Sequence, residues 1–100
     1  MAEAMQGVAM DDDQRLRRLR MRSWRRGMKE MDLILGPFAD GPLADLSEPM
    51  MAQYEALMSE NDQDLYLWIT ARIAGREGGP ADLAPLLDVI ASHAGARLRG

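Results

Sequence analysis

Apolar side chains recur along this chain three and four residues apart, and each run stops at glycine, proline or a group of acids. Leu83, Leu86, Leu87, Ile90 and Ala94 share one stripe of a helix, and Leu65, Trp68, Ile69 and Ile73 make another. The 3.6-residue period keeps returning, and no stretch shows a convincing two-residue alternation. That pattern restricts the chain to helices buried against helices. The expected fold class is all-α, a compact five-helix bundle joined by short loops. At 100 residues there is one domain, which buries about 60–65% of its unfolded surface.

In chain order, residues 1–13 read as a disordered acidic leader that ends in Asp11-Asp12-Asp13, and residues 14–97 read as the single helical domain. The three aspartates stand where a helix N-terminus favours negative charge. A first helix from Gln14 to about Arg25 carries Leu16, Leu19 and Ser23 on one stripe, Trp24 beside it and arginines elsewhere. Gly27 breaks or bends the path. A second helix covers about Met28 to Leu35, and Gly36-Pro37 ends or kinks it because proline supplies no amide donor. Asp40-Gly41-Pro42 is a turn. Ser47 caps a third helix with Glu48 and Pro49 in its first turn and Met50, Met51, Tyr54, Leu57 and Met58 as its stripe. Asn61 or Asp62 caps a fourth, with Asp64 favourable to its dipole. Gly75 stops that helix, and a polar loop runs to Pro80. A fifth begins near Asp82 and tolerates Pro85 in its first turn.

Little in this inventory supports catalysis. The chain has no cysteine, which excludes disulfides and thiolate metal sites. His93 is the only histidine, so no histidine-rich metal site forms, and its place off the fifth stripe suggests a boundary residue. Ser23, Ser47, Ser59 and Ser92 have no neighbouring histidine to activate them. Asp62 and Asp64 lack the spacing of a calcium loop and are explained by capping and core packing with Trp68. The AGREGG run at 74–79 fits no phosphate-binding motif and follows no strand, so it is a helix stop and a loop. Met21, Met28, Met31, Met50, Met51 and Met58 suit adaptable packing. An enzyme and a metal site are both unexpected. No apolar run approaches the roughly 20 residues that span a bilayer, so no membrane insertion is expected. An acidic leader is neither a secretory signal nor an Arg-rich presequence. The expected setting is the bacterial cytoplasm.

Charge is divided unevenly. The formal net charge is −4, yet seven of the twelve basic residues are arginines between Arg15 and Arg26. In isolation this helix would justify nucleic-acid binding, with arginines on phosphates and Trp24 stacking on bases. Overall acidity and the lack of a recognised nucleic-acid motif argue against it, so no nucleic-acid partner is expected.

The most unusual chemistry lies at Arg25–Asp32, RRGMKEMD. Were this segment helical, Arg26 and Glu30 would share a face one turn apart. Gly27 would leave a patch of bare backbone that another surface can approach closely. Two readings stay open on spacing alone. Arg26 and Glu30 form a local ion pair worth about 0.2–0.5 kcal/mol, or they and Gly27 form a docking platform.

The motif Arg26-Gly27-Met28-Lys29-Glu30, followed by Asp32 and Pro37-Phe38, resembles the R-G-x-x-E signature of the FAD assembly factors of succinate dehydrogenase. These are the SdhE family, whose mitochondrial members are called succinate dehydrogenase assembly factor 2. Asp62-Gln63-Asp64-Leu65-Tyr66-Leu67-Trp68 resembles that family's second block, and the likeness runs from about Arg18 to Ile73. The resemblance implies a five-helix chaperone that promotes covalent attachment of FAD to a histidine of the succinate dehydrogenase flavoprotein subunit. Some relatives also serve fumarate reductase. It places Arg25, Arg26, Gly27, Glu30 and Asp32 at the partner-binding surface and leaves FAD with the client. Stable FAD binding by this chain itself would want a dinucleotide fingerprint, and none is present. The helper then acts by holding the client in an attack-ready geometry, an effect of positioning.

Overall fold

The computed structural model describes the backbone of residues 2–99 and the side chains of residues 13–97. Five helices follow one another: α1 (Ala2–Ser23), α2 (Lys29–Asp40), α3 (Glu48–Leu57), α4 (Asp62–Ile73) and α5 (Ala84–Arg99). Short 3₁₀ turns at Pro42–Asp45 and Ala81–Leu83 precede α3 and α5. No strand occurs among the described residues, and the class is all-α as the periodicity predicts. The helical path of α1 begins ahead of Gln14. The acidic leader expected over residues 1–13 falls, Asp13 apart, outside the residues whose side chains are described.

The predicted stripes meet in one core. Leu19, Met31, Leu35, Phe38, Tyr54, Leu57, Leu65, Ile69, Leu86, Leu87 and Ile90 are all buried. Phe38 is stacked on Tyr54, ring centroids 5.7 Å apart, and meets His93 edge-on at the same separation. The phenol of Tyr54 lies 2.6 Å from Ser23 Oγ, and Ser23 Oγ lies 2.7 Å from the Leu19 carbonyl. The serine proton goes to that carbonyl, so Tyr54 donates to Ser23 and both polar groups are satisfied inside the core. Burial pushes the Tyr54 phenol up to about 12, which keeps it a neutral donor. His93 is the boundary residue expected, half-buried, with Nδ1 enclosed and unbonded among the described residues. Burial is the main reason that its pKa lies below the ordinary histidine value, with nearby Arg97 adding to the effect.

The caps follow the sequence closely. Ser47 Oγ accepts from the Met50 amide at the start of α3. Asn61, not Asp62, caps α4, its side-chain oxygen accepting from the Gln63 and Asp64 amides at 2.8 and 3.3 Å. Gly75 closes α4 at φ 81°. Its amide donates to Arg72 O and that of Arg76 to Ala71 O, the paired bonds of a left-handed helix stop.

The end of α2 differs as well. Of the two outcomes expected at Gly36-Pro37, the end near Leu35 does not occur, since α2 continues to Asp40 with Pro37 inside it. Phe38 and Ala39 are wholly buried beyond the proline. Burying a phenylalanine is worth about 1.5–3 kcal/mol, enough to offset most of the roughly 3 kcal/mol that an interior proline costs. Gly36 has a packing role as well. A Cβ there would fall 2.4 Å from the indole of Trp24, so the ring lies directly on the glycine.

Candidate functional site

Residues 24–28 leave the helical path between α1 and α2, and hydrogen bonds from several elements fix their course. Trp24 Nε1 donates to both carboxylate oxygens of Asp40 at 3.1 Å. The Arg26 backbone amide donates to Asp32 Oδ1 at 2.6 Å. The Arg26 guanidinium turns inward, donating from Nε to Asp62 Oδ1 at 2.5 Å, from Nη1 to Met58 O and from Nη2 to Glu60 O, both at 2.8 Å. Asp62 Oδ2 accepts the Gly27 amide at 2.8 Å. One carboxylate at the start of α4 thus holds two consecutive residues of a loop thirty-five positions away.

This arrangement corrects the helical platform. Arg26 and Glu30 share no helix face, because Gly27 gives its amide to Asp62 and the helix resumes only at Lys29. The local Arg26–Glu30 ion pair is absent among the described residues, and Arg26 is paired with Asp62 instead. The Arg26 side chain is only 10% exposed and that of Asp62 19%, so both face the protein. Asp32 is half-buried and spends one oxygen on the loop backbone. Arg25 and Gly27 are exposed, and the Arg25 side chain has no hydrogen-bond partner among the described residues.

Glu30 is exposed on a different surface. It lines a groove of about 300 Å³ together with Leu33, Ile34, Tyr66, Thr70, Ile73, Ala94 and Arg97, where α2, α4 and α5 meet. The five residues singled out in the sequence therefore divide. Arg25 and Gly27 stand at the loop surface, Arg26 and Asp32 shape the loop from within, and Glu30 belongs to the groove.

Gly27 lies between two clefts. One, of about 400 Å³, is lined by Arg18, Met21, Arg22, Arg25, Arg26, Gly27 and Asp62. The other, of about 440 Å³, is lined by Gly27, Met28, Asn61, Asp62 and Gln63. Gly27 and Asp62 are common to both, so the bare backbone forms the ridge between them. Arg18 and Arg22 are exposed four residues apart on α1 and continue the cationic surface from Arg25, with Met21 exposed between them. The basic stretch is thus only partly a solvated face. Arg15 pairs with Glu48 and Glu55, Arg20 Nε donates to Ala39 O, and Arg26 is enclosed.

Sequence reasoning missed Asp62, which it assigned to capping and core. The available signal was redundancy: Asn61, Asp62 and Asp64 crowd one helix start, and a single cap is enough. Arg18, Met21 and Arg22 were visible only as part of a charge run. The site offers charge, an exposed backbone ridge and a loop held by hydrogen bonds from other elements, which suit recognition. Among the described residues no group of three or more histidine, cysteine, aspartate or glutamate side chains is placed to hold a metal. No described helix is long and apolar enough to cross a membrane.

The chain was compared with known proteins. The family model Sdh5, described as flavinator of succinate dehydrogenase, matches residues 17–94, a span containing both Arg26 and Asp62. The FAD assembly factor SdhE of Photobacterium profundum is 36% identical over 75 residues, covering 75% of this chain and 82% of that one. The mitochondrial succinate dehydrogenase assembly factor 2 of Aspergillus terreus is 37% identical over 83 residues, covering 83% of this chain and 28% of the relative. That of Saccharomyces cerevisiae (strain YJM789) is 38% identical over 58 residues, 58% of this chain and 36% of the relative. The chain thus spans most of the bacterial relative and about a third or less of these two mitochondrial ones. No solved structure matches it significantly.

Proposed function

The chain belongs to the Sdh5 family, the flavinators of succinate dehydrogenase, and from that premise we propose that it promotes covalent attachment of FAD to the flavoprotein subunit of succinate dehydrogenase by binding and positioning that subunit. The flavin and the histidine it joins belong to the client. When bound to the client, FAD would supply the electrophile for that bond. This chain contributes no nucleophile and no acid or base to that bond, and it is not an enzyme. Its work is to hold the client's flavin domain in one geometry, which removes orientational freedom before the chemical step.

The observation that carries this reading is Gly27. It is exposed on a ridge between two clefts, and its φ is not among the positive values that would demand glycine. The backbone itself thus does not demand glycine, although a Cβ there would lie 3.3 Å from Asp62 Oδ2 and require that carboxylate to give slightly. The absence of a side chain serves close approach by another backbone. Arg25, with Arg18 and Arg22 beside it, supplies charge to steer the client's approach. Glu30, on the α2–α4–α5 groove, makes a second and separate contact with the same subunit. Fumarate reductase flavoprotein, which shares the flavin chemistry, is the other client to be tested.

Replacing Gly27 with tryptophan fills the ridge. The folded variant is expected to lose binding to the flavoprotein subunit, and in-gel flavin fluorescence of that subunit is expected to drop. A folded Gly27→Trp chain that still yields normal covalent flavin would refute the ridge as the docking point. Equilibrium dialysis against free FAD tests the separate expectation that the flavin stays with the client.

A further inference from the structure

Arg25 is the exposed charged side chain of a short loop whose neighbouring residues are committed elsewhere. Trp24 on one side is bonded to Asp40 and laid on Gly36. Arg26 on the other is enclosed between α3 and α4, with its side chain on Asp62, Met58 O and Glu60 O. The Gly27 amide, which a visiting backbone would otherwise meet as a free donor, is already given to Asp62 Oδ2. Asp62 is not the cap of α4, since Asn61 performs that duty. Its two oxygens have another use, and both bonds point to the loop.

We propose that Asp62 is a positioning residue for client docking: its carboxylate fixes Arg26 and the Gly27 amide, and so presents Arg25 and the bare ridge in one binding-ready shape. This rests on the docking reading above and adds to it a division of labour. Arg25 and Gly27 touch the client, whereas Arg26 and Asp62 act through them. A loop held before encounter gives up little conformational freedom on binding, and one released from its anchor must be ordered at the expense of affinity. The geometry of Asp62 matters here as much as its charge, because the two oxygens serve different donors at once. Asparagine in its place keeps one acceptor and turns an amide toward a donor that needs an acceptor.

The test uses the full chain and the purified flavoprotein subunit, with Asp62→Asn, Asp62→Glu and Arg25→Ala variants. Three quantities are read: the dissociation constant for the subunit, the covalent flavin yield at low and at saturating chain concentration, and hydrogen-exchange protection of the Gly27 amide. Asp62→Asn is expected to lose the Gly27 protection and weaken docking about tenfold, with covalent flavin recovering at saturating chain. Asp62→Glu is expected to regain part of both. Arg25→Ala is expected to weaken docking with Gly27 protection unchanged, which separates contact from positioning. Should Asp62→Asn fail to fold, Asp62→Glu and Arg26→Lys carry the same comparison of protection against affinity. The inference is overturned if a folded variant loses Gly27 protection and still docks with wild-type affinity, or if protection survives without the carboxylate. A wild-type chain that does not bind the subunit at all would instead refute the docking reading on which it rests.

Discussion

Two glycine-bearing loops of this molecule are built on opposite principles. In the loop after α4, Gly75 and Gly79 sit at φ 81° and 86°, a region that L-residues enter at a cost. A Cβ on Gly79 would fall 2.6 Å from Leu87 Cδ1, and one on Gly78 would fall 3.0 Å from the Trp68 backbone. Gly75 is favoured by its backbone alone, Gly78 by crowding alone and Gly79 by both. In the loop after α1, Gly27 has no such backbone demand, and a Cβ there would meet only Asp62 Oδ2 at 3.3 Å. Charged side chains hold that loop from outside its own backbone. A glycine whose backbone conformation does not demand it, on an exposed ridge, is the one proposed above to meet a partner. A glycine packed against a tryptophan and a leucine points inward to stability.

The sharpest break between the two loops is expected from alanine scanning of the glycines. Gly79→Ala incurs both the left-handed backbone cost and the collision with Leu87, together about 2–4 kcal/mol. Thermal unfolding should shift down on the order of 10–20 °C, and unchanged stability would mean that the loop repacks freely. Next comes Arg26→Ala, which strips three acceptors of their donor in a mostly enclosed site. A loss of about 2 kcal/mol in urea unfolding is expected, and a negligible loss would show that water replaces the guanidinium at once. Gly27→Ala should move stability by no more than about 0.5 kcal/mol, because the stiffer unfolded chain offsets the small adjustment of Asp62. Stability losses as large as those of Gly79→Ala would erase the contrast between the loops.

The smallest effect lies outside both loops and serves as their control. His93 has a folded-state pKa below its unfolded value near 6.5, so the unfolded chain binds more protons in that interval. Its contribution to stability is fully present above about pH 6.5 and is lost as pH falls through the folded-state value. Urea unfolding followed from pH 7.5 downward should show this slope, and His93→Gln should flatten it. An undiminished slope in that variant would assign the dependence to carboxylates instead.

Some of this architecture was legible residue by residue. Ser47 and Gly75 were identified by capping chemistry and perform it. The stripe of Leu83, Leu86, Leu87, Ile90 and Ala94 is buried as its spacing predicts. The helix end expected near Leu35 was misplaced because helix breakers are read locally, whereas Phe38 and Ala39 gain their burial from other helices. The Arg26–Glu30 pairing failed for the same reason: a four-residue spacing creates a contact only if the backbone between stays helical, and Asp62 draws the Gly27 amide away. Nothing within RRGMKEMD announces a carboxylate thirty-five residues on.

The residues alone determined the number and order of helices, their caps and apolar faces, the lack of cysteine chemistry and the motif that marks the family. Those features depend on neighbours a few positions away, whose geometry the backbone fixes in advance. Which arginine faces the solvent and which is enclosed, where Glu30 stands, and what holds Gly27 were decided only when α4 came to rest beside the α1–α2 loop. Contacts of that kind join distant residues, and no local period encodes them.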